Sequence, residues 1–260
     1  MNCRYLLRGA ALFGALLSLG LLAPQPVSAK ARLSATVEGK GAPLVVFEAG
    51  HGDTQAVWRP IARIIARSTR TFRYDRPGYG GSADSPEPRD PCSAARRLHA
   101  ELAARDLKPP YVLVGHSLGG LYQYVFAKLY PGEVAALVLV DGTHPDHWRT
   151  MHAEAPDTAR AVEAVLPTFT AAMQRELREM GQCTAGFLDE PLDIPVRLLF
   201  RTRYDRDERG AFQQMTERLQ KDWQRVSTDV AADRVERAGH YIQRDRSDVV
   251  IAAIRQFVAR

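Results

Sequence analysis

Short apolar runs alternate along the chain with longer stretches whose apolar residues recur at helical spacing. The apolar runs, each followed by a glycine-bearing or polar turn, predict strands at residues 42–50, 70–78, 110–117, 135–142, 194–202 and 233–240. Strands that are apolar along their whole length are buried on both faces. The alternation therefore predicts an α/β fold with a mostly parallel central sheet flanked by helices.

A long interval between two of these predicted strands interrupts the alternation. Residues 143–193 contain a helical stretch, DTARAVEAVLPTFTAAMQRELREMG, bounded by proline and glycine. An excursion of this length is more typical of a cap above the sheet than of a loop. We therefore expect a helical cap inserted at this point of the chain.

The first 29 residues differ from the rest of the chain. Arg4 and Arg8 precede the apolar run GAALFGALLSLGLLA, and VSA, ending at Ala29, has the small residues that a signal peptidase reads. An uncleaved membrane anchor is the alternative, although the run is shorter than the ~20 residues of a spanning helix. We expect a signal peptide at 1–29 and one domain at 30–260. The product would be exported, periplasmic or secreted, without stable membrane association after signal removal.

The charge balance excludes one class of partner. The chain has a formal net charge of +5, and loss of Arg4 and Arg8 lowers that charge by two. The remaining arginines are interspersed with Asp and Glu, as in RTRYDRDERG, instead of being massed on one stripe. We therefore expect no nucleic-acid partner. Oligomeric state has no sequence signal.

The cysteines leave two possibilities open. Cys3 lies in the predicted signal peptide, so Cys92 and Cys183 remain in the domain. In an exported chain these two can pair as a disulfide, and two separate buried thiols are the alternative. No CxxC or histidine-rich spacing indicates a metal, and we expect no metal and no organic cofactor.

The stretch YVLVGHSLGG contains the strongest chemical motif. Gly115, Ser117 and Gly119 form a GxSxG where a strand ends and a helix begins. Such a sharp turn requires neighbours without side chains, and it lifts a serine hydroxyl above the sheet as a nucleophile. A serine N-cap in a glycine turn is the structural alternative. A nucleophilic serine needs a base, and His240 lies between the last predicted strand and the last helix, at the same sheet edge.

Four segments in order resemble the α/β-hydrolase superfamily of lipases, esterases and peptidases: FEAGHGDTQAVW, YDRPGYGGS, GHSLGG and AGHYIQRDRSDVVIAAI. The resemblance covers nearly all of residues 30–260 and implies the α/β-hydrolase fold, with the cap after the family's sixth strand. It implies Ser117 as nucleophile and His240 as general base and acid. The backbone N–H groups of His51 and Leu118 would form the oxyanion hole.

The resemblance offers two positions for the acid that orients His240. Most relatives carry it in a loop after the seventh strand, where this chain has Asp205. A minority carry it at the end of the sixth strand, where Asp141 stands. The loop sequence EAG resembles that of a bacterial subgroup in which the acid usually stands at the end of the sixth strand. We prefer Asp141 and retain Asp205 as the alternative.

Apolar residues of the cap suggest a class of substrate. Trp148 and Met151 are candidate substrate contacts, with packing of the cap onto the sheet as the alternative. We predict a serine hydrolase that cleaves a small or medium carboxylic ester through an acyl-enzyme. The alternatives are an amidase or peptidase with the same triad, a lyase resembling the hydroxynitrile lyases, and a non-catalytic binding protein on this fold.

Overall fold

The computed structural model describes residues 32–258. The predicted signal peptide, residues 1–29, lies outside the described residues. No helix between residues 32 and 258 has the length and apolar character needed to cross a membrane.

Seven strands form one mixed sheet in the order β1-β3-β2-β4-β5-β6-β7. Every neighbouring pair is parallel except β1 and β3, which are antiparallel. The predicted mostly parallel α/β sheet is therefore confirmed. The strands are β1 (Ala35–Glu38), β2 (Leu44–Glu48), β3 (Thr71–Tyr74), β4 (Tyr111–His116), β5 (Val134–Val140), β6 (Leu192–Arg201) and β7 (Ser227–Val235).

Helices cover both faces of the sheet because its central strands are apolar on both faces. In β2, Leu44 and Val46 pack towards α2 and α3, while Val45 and Phe47 pack towards α1 and α9. The helices are α1 (Arg59–Ile65), α2 (Pro91–Ala104), α3 (Leu118–Leu129), α4 (His147–Glu154), α5 (Pro156–Val165), α6 (Ala171–Glu179), α7 (Ala211–Asp222), α8 (Ile242–Asp245) and α9 (Ser247–Val258).

The interval between β5 and β6 contains α4, α5 and α6, where the helical cap is expected. In the resemblance described above, β5, the fifth described strand, corresponds to the sixth strand, after which the cap is expected.

The last strand lies earlier in the chain than predicted. β7 covers residues 227–235 and not the predicted 233–240. A strand at the edge of a sheet does not need to be apolar on both faces. The sequence of β7, STDVAADRV, leaves most of its side chains exposed, so it has no apolar run to reveal it. Residues 236–240, predicted as the end of this strand, form the loop that carries His240.

A buried guanidinium joins the sheet to α6. Arg76, 5% exposed, contacts Glu48 of β2 at 2.8 Å and Glu176 of α6 at 2.8 Å. Its remaining N–H groups donate to the carbonyls of Ala49 and Gly50, at 2.6 and 2.8 Å. Burial alone would lower the pKa of Arg76, but the two carboxylates raise it well above its ordinary value, so the guanidinium stays charged.

Glu176→Gln removes one of the two charges that neutralise Arg76, so we expect it to lower the free energy of unfolding by about 2 kcal/mol. Chemical denaturation followed by tryptophan fluorescence measures the change. The matched control is Glu163→Gln, which alters an exposed carboxylate on α5. Equal stability of the two variants would contradict a structural role for the buried pair.

A disulfide between Cys92 and Cys183 resolves the question that the sequence left open. It fastens the start of α2 to the segment that follows α6. Cys92 is buried, whereas Cys183 is exposed and has a positive φ of 63°. The bridge closes a sequence separation of 91 residues, and a covalent link of that span restricts the unfolded chain.

We expect the double substitution Cys92→Ala, Cys183→Ala to lower the free energy of unfolding by about 2–4 kcal/mol. Denaturant titration of oxidised wild type and of the double variant measures the difference. A thiol reductant should destabilise the wild type by a similar amount and leave the double variant unchanged. A wild type that is insensitive to the reductant would argue against the bridge.

Candidate active site

The turn from β4 to α3 holds Ser117 in a conformation that few residues adopt. Its φ is 53° and its ψ is −126°, and its N–H donates to the carbonyl of Val140. Such a backbone is strained for a residue with a Cβ and is typical of functional positions. The serine side chain makes no capping hydrogen bond to α3, so the N-cap alternative has no support in the structure.

The glycines beside Ser117 are required by close backbone contacts. A Cβ on Gly115 would lie 2.4 Å from the carbonyl oxygen of Gly119. A Cβ on Gly119 would lie 2.5 Å from the carbonyl oxygen of Ala49. Both distances are shorter than any carbon–oxygen contact that a side chain tolerates. The GxSxG spacing therefore allows α3 to pack directly against β4 and the end of β2.

The loop after β2 lies against the nucleophile. A Cβ on Gly50 would stand 3.2 Å from the Cβ of Ser117, so this loop passes within contact distance of the serine. Within residues 32–258, the backbone N–H groups of His51 and Leu118 have no hydrogen-bond acceptor. The imidazole of His51 contacts the carbonyl of Met173 on α6 at 3.0 Å. The two N–H groups predicted for the oxyanion hole are thus unpaired beside Ser117.

His240 and Asp141 form a hydrogen-bonded pair. Nδ1 of His240 lies 2.7 Å from Oδ2 of Asp141, which follows β5 directly and is buried. Burial alone would raise the pKa of Asp141, but the hydrogen bond from His240 and the nearby charges lower it below its ordinary value. Because the carboxylate is ionised and can only accept, Nδ1 of His240 carries the proton. The other ring nitrogen, Nε2, is then free to act as a base.

Arg201, the last residue of β6, is a second partner of Asp141. Its Nε lies 3.3 Å from Oδ2 of Asp141, and its backbone N–H donates to Oδ1 at 3.4 Å. Its Nη1–H donates to Oε1 of Glu208 at 2.7 Å. The arginine-rich run that begins at the end of β6 therefore does not supply the acid; Arg201, within this run, supports an acid that follows β5.

The structure brings Asp141, and not Asp205, to His240. Asp205 is exposed, and its backbone N–H donates to Glu208 at 2.9 Å. The position beside Nδ1 of His240 is filled by Asp141. The retained alternative for the acid therefore has no geometric support.

His116 fixes the main chain of the histidine loop. Its Nε2–H donates to the carbonyl of His240 at 2.9 Å, and the two rings lie 4.7 Å apart. Burial lowers the pKa of His116 to about 3, with a further contribution from the charge of His240. A neutral imidazole therefore persists at this position at ordinary pH. It holds His240 without competing for its proton.

A cavity of about 170 Å³ opens beside these residues. Ser117, His240 and Asp141 line it together with one face of α7. Trp148 and Met151, the predicted substrate contacts, are not among its lining residues. Met151 packs instead in a small core with residues of α5 and α7, and Trp148 packs against the same core.

The sequence interpretation did not assign the α7 wall to the site. Its lining residues recur at helical spacing, a signal that is present in the segment GAFQQMTERLQKDWQRV. That signal indicates a helix face but not what the face contacts. The lining residues from this segment are Phe212, Thr216, Leu219, Gln220 and Trp223.

Comparisons with known proteins identify the family and its fold. Residues 45–253 match the alpha/beta hydrolase family. The uncharacterized protein YqjL of Bacillus subtilis is 26% identical over 218 residues, which cover 84% of each chain. Several further curated relatives align over less than two fifths of their own length.

Solved structures of esterases and lactonases share the fold. A thermophilic esterase from Thermogutta terrifontis is 18% identical, with a TM-score of 0.66 over 87% of this chain and 93% of its own. The enol-lactonase from Burkholderia xenovorans LB400 is 16% identical, with a TM-score of 0.65 over 88% and 96%. The serine turn, the histidine–aspartate pair and the matched span lead to one conclusion: the chain belongs to the alpha/beta hydrolase family.

Proposed function

We propose that this hydrolase cleaves a small carboxylic ester through an acyl-enzyme on Ser117. The observation that carries the proposal is the 2.7 Å contact between His240 and Asp141 at the rim of a cavity that Ser117 also lines. An orienting acid, a base with a free nitrogen and a strained serine are the three parts that nucleophilic acyl transfer needs. The small cavity volume supports a compact acyl group.

In the acylation step, Oγ of Ser117 attacks the ester carbonyl carbon while Nε2 of His240 takes the hydroxyl proton. The carbonyl oxygen becomes an oxyanion and accepts hydrogen bonds from the N–H groups of His51 and Leu118. When the tetrahedral intermediate collapses, the bond to the leaving oxygen breaks. His240 then returns its proton to that oxygen, and the alcohol leaves.

In the deacylation step, water replaces the serine as the nucleophile. His240 takes a proton from the water, whose oxygen attacks the acyl carbon, and the bond to Oγ of Ser117 breaks. The proton passes to Oγ, and the carboxylic acid is released. Throughout both steps Asp141 remains ionised and stabilises the imidazolium form of His240.

A fluorophosphonate probe tests the nucleophile. We expect the probe to label wild-type protein at Ser117 and to leave Ser117→Ala unlabelled, with circular dichroism establishing that the variant is folded. Mass spectrometry of proteolytic peptides locates the adduct. Labelling that persists in the variant would remove the assignment, and an unlabelled wild type would favour a binding protein.

A substrate panel tests the bond that is cleaved. We expect turnover of p-nitrophenyl esters, with kcat/KM falling as the acyl chain outgrows the cavity, because a longer chain cannot be enclosed. Aminoacyl anilides of matched size should be turned over at least about 10²-fold more slowly, since an amine is a poorer leaving group that also needs protonation. Faster turnover of the anilides would indicate an amidase.

The triad acid is tested by two conservative substitutions. Asp141→Asn should lower kcat by about 10³-fold or more, because an amide no longer holds the Nδ1–H tautomer of His240. Asp205→Asn, the matched control in an exposed position, should change kcat by less than about threefold. The opposite pattern would assign the acid to Asp205.

A further inference from the structure

The cavity wall formed by α7 contains polar atoms without protein partners. Gln220 is 6% exposed, and both its Oε1 and its Nε2 lack a hydrogen-bond partner among the described residues. Thr216, one helical turn earlier, has an unpaired hydroxyl. A buried polar group without a partner costs roughly 1–3 kcal/mol. Two such side chains on one face of the cavity therefore call for a ligand that satisfies them.

The surrounding wall does not favour a negatively charged ligand. Arg201 is the cation of the cavity lining, and two carboxylates, those of Asp141 and Glu208, already contact it. Burial lowers the pKa of His147 to about 4, so this lining imidazole is neutral at ordinary pH. A substrate carboxylate would therefore meet no unpaired positive charge and would face excess negative charge.

The chemistry of a glutamine side chain narrows the ligand further. Its carbonyl accepts and its NH₂ group donates, side by side, so its natural complement is a group with an adjacent donor and acceptor. Primary carboxamides and ureas have that arrangement. Phe212 and Leu219, on the same wall, supply apolar surface for the carbon chain that joins this group to the reacting carbonyl.

We infer that Gln220, with Thr216, forms a polar subsite that selects ester substrates whose far end carries a neutral carboxamide or ureido group. The inference rests on the proposed ester hydrolysis and adds the substrate class. Gln220 acts there as a specificity-determining residue and takes no part in bond making. The subsite explains why α7 presents a hydroxyl and an amide to the cavity alongside the apolar side chains of Phe212 and Leu219.

Three isosteric substrates test the subsite: the p-nitrophenyl esters of 4-carbamoylbutanoic, 5-methylhexanoic and glutaric acids. They end in a carboxamide, an isopropyl group and a carboxylate, respectively. Wild type should prefer the carboxamide over the isopropyl ester by about tenfold or more in kcat/KM, with the carboxylate lowest. Gln220→Leu should lose about tenfold on the carboxamide ester and change the isopropyl ester by less than threefold.

The matched control is Gln214→Leu, the same substitution on an exposed position of α7, which should leave all three rates within about twofold. Thr216→Val should produce a smaller loss confined to the carboxamide ester. A wild type that prefers the isopropyl ester would overturn the subsite. So would a Gln220→Leu variant that loses activity equally on all three esters.

Binding without turnover separates the subsite from the proposed chemistry. In a Ser117→Ala background, calorimetric titration with methyl 4-carbamoylbutanoate should give a Kd at least about tenfold lower than in Ser117→Ala, Gln220→Leu. Equal affinities would overturn the subsite even if esters are hydrolysed. Selective binding in a protein whose wild type hydrolyses no ester would uphold the subsite and refute the proposed function.

Discussion

The buried charge of Arg76 is the constraint on which the catalytic end of the molecule depends. One guanidinium contacts a carboxylate of β2, a carboxylate of α6 and two carbonyls of the loop between β2 and α1. An uncompensated cation at this depth would cost several kcal/mol, so the sheet, loop and cap must meet at fixed positions. The carbonyls of Ala49 and Gly50, which directly precede His51, are held in place by this guanidinium.

The central part of the fold could be predicted from the sequence, and the edges could not. β2, β4 and β5 are almost entirely apolar and buried, and β3 and the second half of β6 are largely buried, so the sequence pattern located all five close to their observed positions. β7 is polar and β1 has only four residues, because an edge strand needs less burial. Single-sequence hydrophobicity has no signal for strands whose position is set by hydrogen bonds to a neighbour.

The candidate site divides in the same way. The serine turn and the histidine loop are local features with strong residue requirements, so Ser117 and His240 could be named from the sequence. The choice between Asp141 and Asp205 depended on which carboxylate reaches Nδ1, a contact across 99 residues. The α7 wall was missed because helical spacing reveals a buried face without revealing what lies opposite. Trp148 and Met151 are apolar because they pack in a separate small core with residues of α5 and α7, and not because they contact substrate.

The contact between His51 and the carbonyl of Met173 has a consequence for how this protein could diversify. A main-chain carbonyl is present whatever side chain stands at that position, so the contact that holds the His51 imidazole depends on the path of α6 and not on the side chain at residue 173. Exposed residues of the cap can therefore change without moving the loop after β2. Such changes alter the surface that approaching molecules meet. Glu176 cannot change in the same way, since it is buried and its side chain carries a negative charge that Arg76 requires. Chemistry and recognition are thus separable by mutation in this scaffold.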